Sequence, residues 1–112
     1  MIPLIEANRD AIADLCRQYG VRKLAVFGSA VNGTWDPDHS DIDFLIDLGI
    51  YDPDVTWRLL GFGAAMEDLL GHRIDLVTQR SLKTPRFRHE VLSTMEVMVD
   101  DTDLANRPVA TG

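Results

Sequence analysis

Three aspartates and one glycine turn carry the chemical interest of this chain. Asp41 and Asp43 lie two residues apart in Ser-Asp-Ile-Asp-Phe-Leu-Ile. In a strand that spacing puts both carboxylates on one face, about 7 Å apart along the chain. Two such groups can chelate a hard cation or flank a pair of them, and magnesium suits all-oxygen ligands. Asp75 sits in Arg73-Ile74-Asp75-Leu76-Val77, also strand-like. If that strand pairs beside the first, a third carboxylate reaches the same surface, and the three repel unless a counter-ion is present. Gly28-Ser29 follows the apolar run Leu24-Ala25-Val26-Phe27. Glycine permits a turn with converging backbone N–H groups, and the serine hydroxyl can donate to a phosphate oxygen. The turn lacks the Gly-Lys-Ser/Thr of a P-loop.

The elements that must hold these groups follow from periodicity. Ile5, Ile12, Leu15, Cys16 and Tyr19 form a helical stripe, predicting a helix over 3–19 that stops at Gly20. A strand is expected over 21–27, then a loop over 28–40 with room for one helical turn. The next strand, 42–48, alternates strictly. Ile42, Phe44, Ile46 and Leu48 take one face, and Asp41, Asp43, Leu45 and Asp47 the other. Asp52-Pro53 reads as a helix start, with the acid as cap and proline first in the helix. Val55, Leu59, Phe62, Met66, Leu69 and Leu70 then form a stripe ending at Gly71. Within it Gly61 and Gly63 suggest close approach to a neighbour. A third strand over 73–78, a helix over 82–94 interrupted by Pro85, and an edge strand over 96–99 complete the order. The expected fold is α/β (α+β): a small mixed sheet with helices mainly on one face. Residues 1–99 form one domain, and 100–112 read as a polar tail.

Composition narrows the function classes. The chain has 112 residues, 11 Lys and Arg against 18 Asp and Glu, and a formal charge of −7. That balance argues against direct DNA or RNA binding, though not against a nucleotide, since a bound cation inverts the sign of a carboxylate site. Cys16 is the one cysteine, so an internal disulfide is excluded; its helical stripe predicts burial. No 18-residue apolar run or secretory leader is evident, which reads as a cytoplasmic chain without a membrane span. His39, His72 and His89 share no metal-ligand spacing and read as surface residues, with His39 near the acids. Trp35 is expected to pack its loop onto the core, and Trp57 to serve packing or an interface. Arg73, Arg80, Lys83, Arg86 and Arg88 make a locally basic segment, read as solvated charge or a phosphate or partner contact.

Taken together, Phe27-Gly28-Ser29-Ala30-Val31-Asn32-Gly33, Ser40-Asp41-Ile42-Asp43-Phe44-Leu45-Ile46 and Arg73-Ile74-Asp75-Leu76-Val77 resemble the signature of the minimal nucleotidyltransferases of the DNA polymerase beta superfamily. Leu82-Lys83, Phe87-Arg88, Val91-Leu92 and Val97-Met98 are similar to that family's usual ending, so the resemblance spans roughly 12–99. It implies that Gly28 and Ser29 hold substrate phosphates, that Asp41 and Asp43 bind two magnesium ions, and that Asp75 completes the site nearest the acceptor hydroxyl. Asn32 stands at a phosphate-side position where many relatives carry arginine, and it offers no charge. The resemblance further implies an antitoxin that transfers AMP from ATP to a tyrosine of an all-helical HEPN ribonuclease toxin. Two alternatives stand beside it: neutralisation of the partner by binding alone, and transfer to a small molecule such as an aminoglycoside. No second substrate domain is read in these residues, so the acceptor site is expected to come from a partner, another copy in a homo-oligomer, or the modified macromolecule.

Overall fold

The computed structural model describes residues 2–49 and 52–100. The polar tail expected over 100–112 lies outside these from residue 101 onward. Asp100 itself closes the last strand.

The expected first helix is two. α1 (Pro3–Ala7) and α2 (Arg9–Tyr19) meet at Asn8, whose side-chain amide donates to the Leu4 carbonyl at 2.9 Å. A short polar side chain that bonds to nearby backbone competes with helix continuation, which the apolar stripe cannot register. α2 ends at Gly20 (φ +71°), whose N–H bonds the Cys16 carbonyl. β1 (Lys23–Phe27), a single turn α3 (Ser29–Asn32) and β2 (Ile42–Asp47) follow.

α4 (Val55–Leu70) begins later than the Asp-Pro signal predicts. Asp52 instead builds a turn in front of it. Its carboxylate accepts from the Asp54 N–H at 3.0 Å, and its carbonyl accepts from the Val55 N–H at 3.0 Å. β3 (Ile74–Val77), a 3-10 turn (Gln79–Ser81), α5 (Pro85–Thr94) and β4 (Glu96–Asp100) complete the chain. Pro85 opens α5 rather than interrupting it, as suits a residue with no N–H to give.

The sheet order is β3-β2-β1-β4. β1 is antiparallel to both β2 and β4, while β2 and β3 run parallel, with α4 as their crossover. The sheet is therefore mixed, as expected. α2 and α4 pack on one face over Ile42, Phe44, Ile46, Leu24 and Val26. Gly61 lets the two helices approach: a Cβ there would meet the Tyr19 ring at 2.7 Å. Arg58 of α4 donates to the carbonyls of Tyr19 and Gly20, both at 3.3 Å, fastening α4 to the end of α2. Cys16 is buried in this core. The other face carries a smaller cluster, Ala25, Phe27 and Leu45, covered by Leu82 and Val91. Among the described residues no helix is long and apolar enough to cross a membrane.

Candidate active site

Strand alternation separates scaffold from chemistry within β2. Ile42, Phe44 and Ile46 enter the main core, so Asp43 must point to the opposite face. The β2–β3 register then sets Asp43 directly beside Asp75. One step outward, Asp41 meets Arg73, with Nε 3.4 Å from Oδ1. The structure thus brings Asp41, Asp43 and Asp75 to one edge of one sheet face. The third acid on that face of the β2 segment, Asp47, serves the fold: its carboxylate accepts from the Gly49 N–H at 2.7 Å.

Gly28 explains why its turn needs glycine. Its φ is +74°, and a Cβ built there would lie 2.6 Å from Oδ2 of Asp43. The Asp43 carboxylate therefore rests against the glycine backbone, and any side chain would displace it. Ser29, next in line, has no side-chain hydrogen bond among the described residues, leaving its hydroxyl available to a ligand. Asn32 is exposed, and its side-chain oxygen is occupied by the backbone N–H (3.1 Å) and hydroxyl (2.6 Å) of Thr34. It closes the turn with its carbonyl and keeps its amide donors.

Burial pushes the Asp43 carboxyl above its ordinary value, and the charges of Asp75 and then Asp41 push it further. All three causes act against the carboxylate, and a cation beside it would reverse their sign. The donor set, three carboxylates and no nitrogen or sulfur, suits a hard divalent cation. Among the described residues no three carboxylate, imidazole or thiol side chains already converge as a metal cage. Asp41 is paired with Arg73 instead.

A cavity of about 370 Å³ opens at this point. Gly28, Asn32, Asp43 and Asp75 line it together with Phe27, Val31, Val77 and, from α5, Phe87, Glu90, Val91 and Thr94. The α5 contribution went unseen in the sequence. Its signal is the 87, 90/91, 94 spacing of one helix face, legible only once that face has a site to look at.

The loop before β2 is organised by Asp36. Its carboxylate accepts from the Asp38 N–H at 2.9 Å and contacts His39 Nδ1 at 2.9 Å, and both hold it below the ordinary carboxylate range. His39 thus pairs with Asp36. Trp35 packs the loop onto the core as expected, edge-on to His72 at 5.1 Å. His72 is accordingly half-buried, not the surface residue its isolated position suggested. His89 is exposed, as are Lys83, Arg86 and Arg88.

The nucleotidyltransferase domain family matches residues 9–97. The protein adenylyltransferase MntA of Thermococcus cleftensis is 39% identical over 71 residues, covering 63% of this chain and 69% of the relative. A solved structure described as a proposed minimal nucleotidyltransferase superposes with a TM-score of 0.65 at 33% identity, over 82% of this chain and 90% of that one. A chain from a crystal structure of an MntA toxin–antitoxin complex superposes with a TM-score of 0.60 at 25% identity, over 87% of this chain and 78% of that one. On the extent of the family match, which takes in the glycine turn and all three aspartates, this chain belongs to the nucleotidyltransferase domain family.

Proposed function

We propose that this chain is a magnesium-dependent antitoxin that transfers AMP from ATP to a hydroxyl, of tyrosine, on a partner HEPN ribonuclease. The observation that carries the reading is the Asp43–Asp75 pair, in register on neighbouring strands and seated against Gly28. The reading of a protein acceptor rests on the named relatives: a protein adenylyltransferase and a toxin–antitoxin complex.

Each residue then has a task. Gly28 brings backbone to the polyphosphate with no side chain in the way, and Ser29 donates its hydroxyl to a phosphate oxygen. Asn32 contributes its amide N–H groups at the same end. Asp41, Asp43 and Asp75 are the ligands for two magnesium ions, which when bound neutralise the triphosphate and lower the acceptor hydroxyl's pKa. Asp41 must leave Arg73 to take part. Asp75 is exposed on the sheet's outer strand, where an acceptor on another protein can reach it, and it takes the acceptor's proton. The larger contribution is positioning and charge stabilisation of an in-line transfer, in which the acceptor oxygen bonds the α-phosphorus as the bond to the bridging oxygen breaks and pyrophosphate leaves.

Incubating the purified chain with ATP, magnesium and a candidate HEPN ribonuclease tests the reading. The expected result is a gain of adenylyl mass on the partner, absent with the Asp41→Ala, Asp43→Ala double variant. Unchanged adduct formation by that variant would overturn the assignment. One observation favours neutralisation by binding alone: α4 leaves Trp57 74% and Leu60 59% exposed, an apolar surface suited to a partner. A neutralised partner in a stable complex with no adduct would select that second reading.

A further inference from the structure

Resting on the reading that the acceptor is a protein, we propose that this protein docks in the groove between α4 and β3, through an apolar ridge bordered by lysine and arginine. The chemistry and the grip on the acceptor then lie on opposite faces of one strand.

β3 is an outer strand of the sheet, and its side chains alternate between the two faces. Asp75 points to the carboxylate site, while Ile74 and Leu76 point to the α4 side. There they line a groove of about 370 Å³ with Leu59, Leu60, Gly63 and Ala64. Two small residues of α4 keep it open, and a Cβ on Gly63 would already touch Leu76 at 3.4 Å. Leu60 stays largely exposed at its side, and Trp57, one turn earlier on the same helix face, is more exposed still. An open tryptophan and leucine beside a groove are anchors of the kind that protein interfaces bury. No strand lies beyond β3 among the described residues. A body seated in the groove therefore has only the edge of one strand to pass before it reaches Asp75. Strand addition to that edge is opposed at Ile74, whose N–H already donates to the Glu67 carboxylate at 3.1 Å. Docking is through side chains. The surface that would hold a partner without chemistry thus also lies where it would deliver one to the site.

Charge selects the occupant. Along the exposed face of α4, Asp54 precedes Trp57, and Glu67 and Asp68 follow Ala64; all three acids are exposed. Arg58, the one basic residue of α4, is turned towards the Tyr19 and Gly20 carbonyls and Asp52. The groove is apolar in the middle and acidic at both ends. A second copy of this chain fits it poorly. Packed antiparallel about a two-fold axis, Asp54 of one copy would meet Glu67 and Asp68 of the other; packed parallel, each acid would meet itself. A partner with a basic border pairs with both ends.

The test uses the purified full chain and the candidate HEPN ribonuclease, with complex formation read by calorimetry without nucleotide and transfer read as KM and kcat for the partner. Leu60→Arg removes an anchor and adds a charge that a basic border repels. It should weaken the complex about 30-fold, the scale of a central interface anchor, and raise KM in parallel while kcat is kept. Asp68→Lys, at an exposed position away from the core, should weaken the complex about five-fold in low salt and negligibly in high salt. Melting temperatures recorded alongside should stay near wild type. Wild-type affinity and KM in both variants overturn the docking surface while leaving transfer standing. Absence of both complex and adduct with the wild-type chain overturns the docking surface and the transfer reading together.

Discussion

The two faces of this sheet are built from the same strands to opposite standards. On one, Ile42, Phe44 and Ile46 are sealed under α2 and α4 with 0 to 1% of their surface exposed. On the other, Asp43 is half-buried beside Asp75, covered only in part by the 3-10 turn and α5. The difference shows how 112 residues hold like charges together on one sheet face. Like charges held together cost stability, and the packed face offsets that cost from one residue away on the same backbone. Asp43 cannot move without moving Ile42 and Phe44, so the scaffold also fixes the site.

Substitutions on the two faces should therefore separate fold from chemistry. The largest expected loss is at Phe44, fully buried in the main core. Phe44→Ala should destabilise the chain by about 3–5 kcal/mol in urea unfolding. If it costs less than 1 kcal/mol, that face is not the source of stability. At the boundary, Gly28→Ala forces a side chain into positive φ and against Asp43. A stability loss of about 1–3 kcal/mol is expected, with transfer lost even where the protein is folded. Wild-type transfer by a folded Gly28→Ala protein would show that Asp43 need not rest on this turn.

A pH series sharpens the contrast. Asp43 has its folded-state pKa raised above the ordinary 3.8, so its ionised form is disfavoured in the fold. The resulting penalty is present at neutral pH and is relieved as pH falls through the folded pKa towards 3.8. In chelator, Asp43→Asn should thus raise the melting temperature at pH 7, and the gain should shrink as pH approaches 4. Scanning calorimetry reads both; a gain that grows on acidification would mean the sign is wrong. The smallest effect is at the Arg73–Asp41 pair, whose side chains are 82% and 45% exposed. Arg73→Ala should change stability by less than about 1 kcal/mol.

Much of this was legible in the sequence because the core side of β2 is apolar without exception. One residue in two is apolar on the core side, so the placement of Asp43 follows from Ile42 and Phe44. The pairing of Asp75 beside it needed only that the third strand be parallel and adjacent. Helix boundaries were less accessible. Asn8 splits the first helix through a side-chain bond to Leu4, and Asp52 uses its cap in a preceding turn. Both are local competitions that an apolar stripe does not record. The contact between Gly28 and Asp43 was not legible at all. Gly-Ser marks a turn, but which carboxylate it touches depends on the β1–β2 register. Glu90 and Thr94 stayed hidden for a similar reason: their helix face gains meaning only from the cavity it closes.

The central claim is that Asp43 serves chemistry and not folding. It is tested most directly by Asp43→Asn, assayed for adenylyl mass on the partner protein in the same preparation whose melting temperature is recorded. Loss of transfer by more than about 10³-fold with a melting temperature at or above wild type is the expected result. Transfer at the wild-type rate by the folded variant would contradict it.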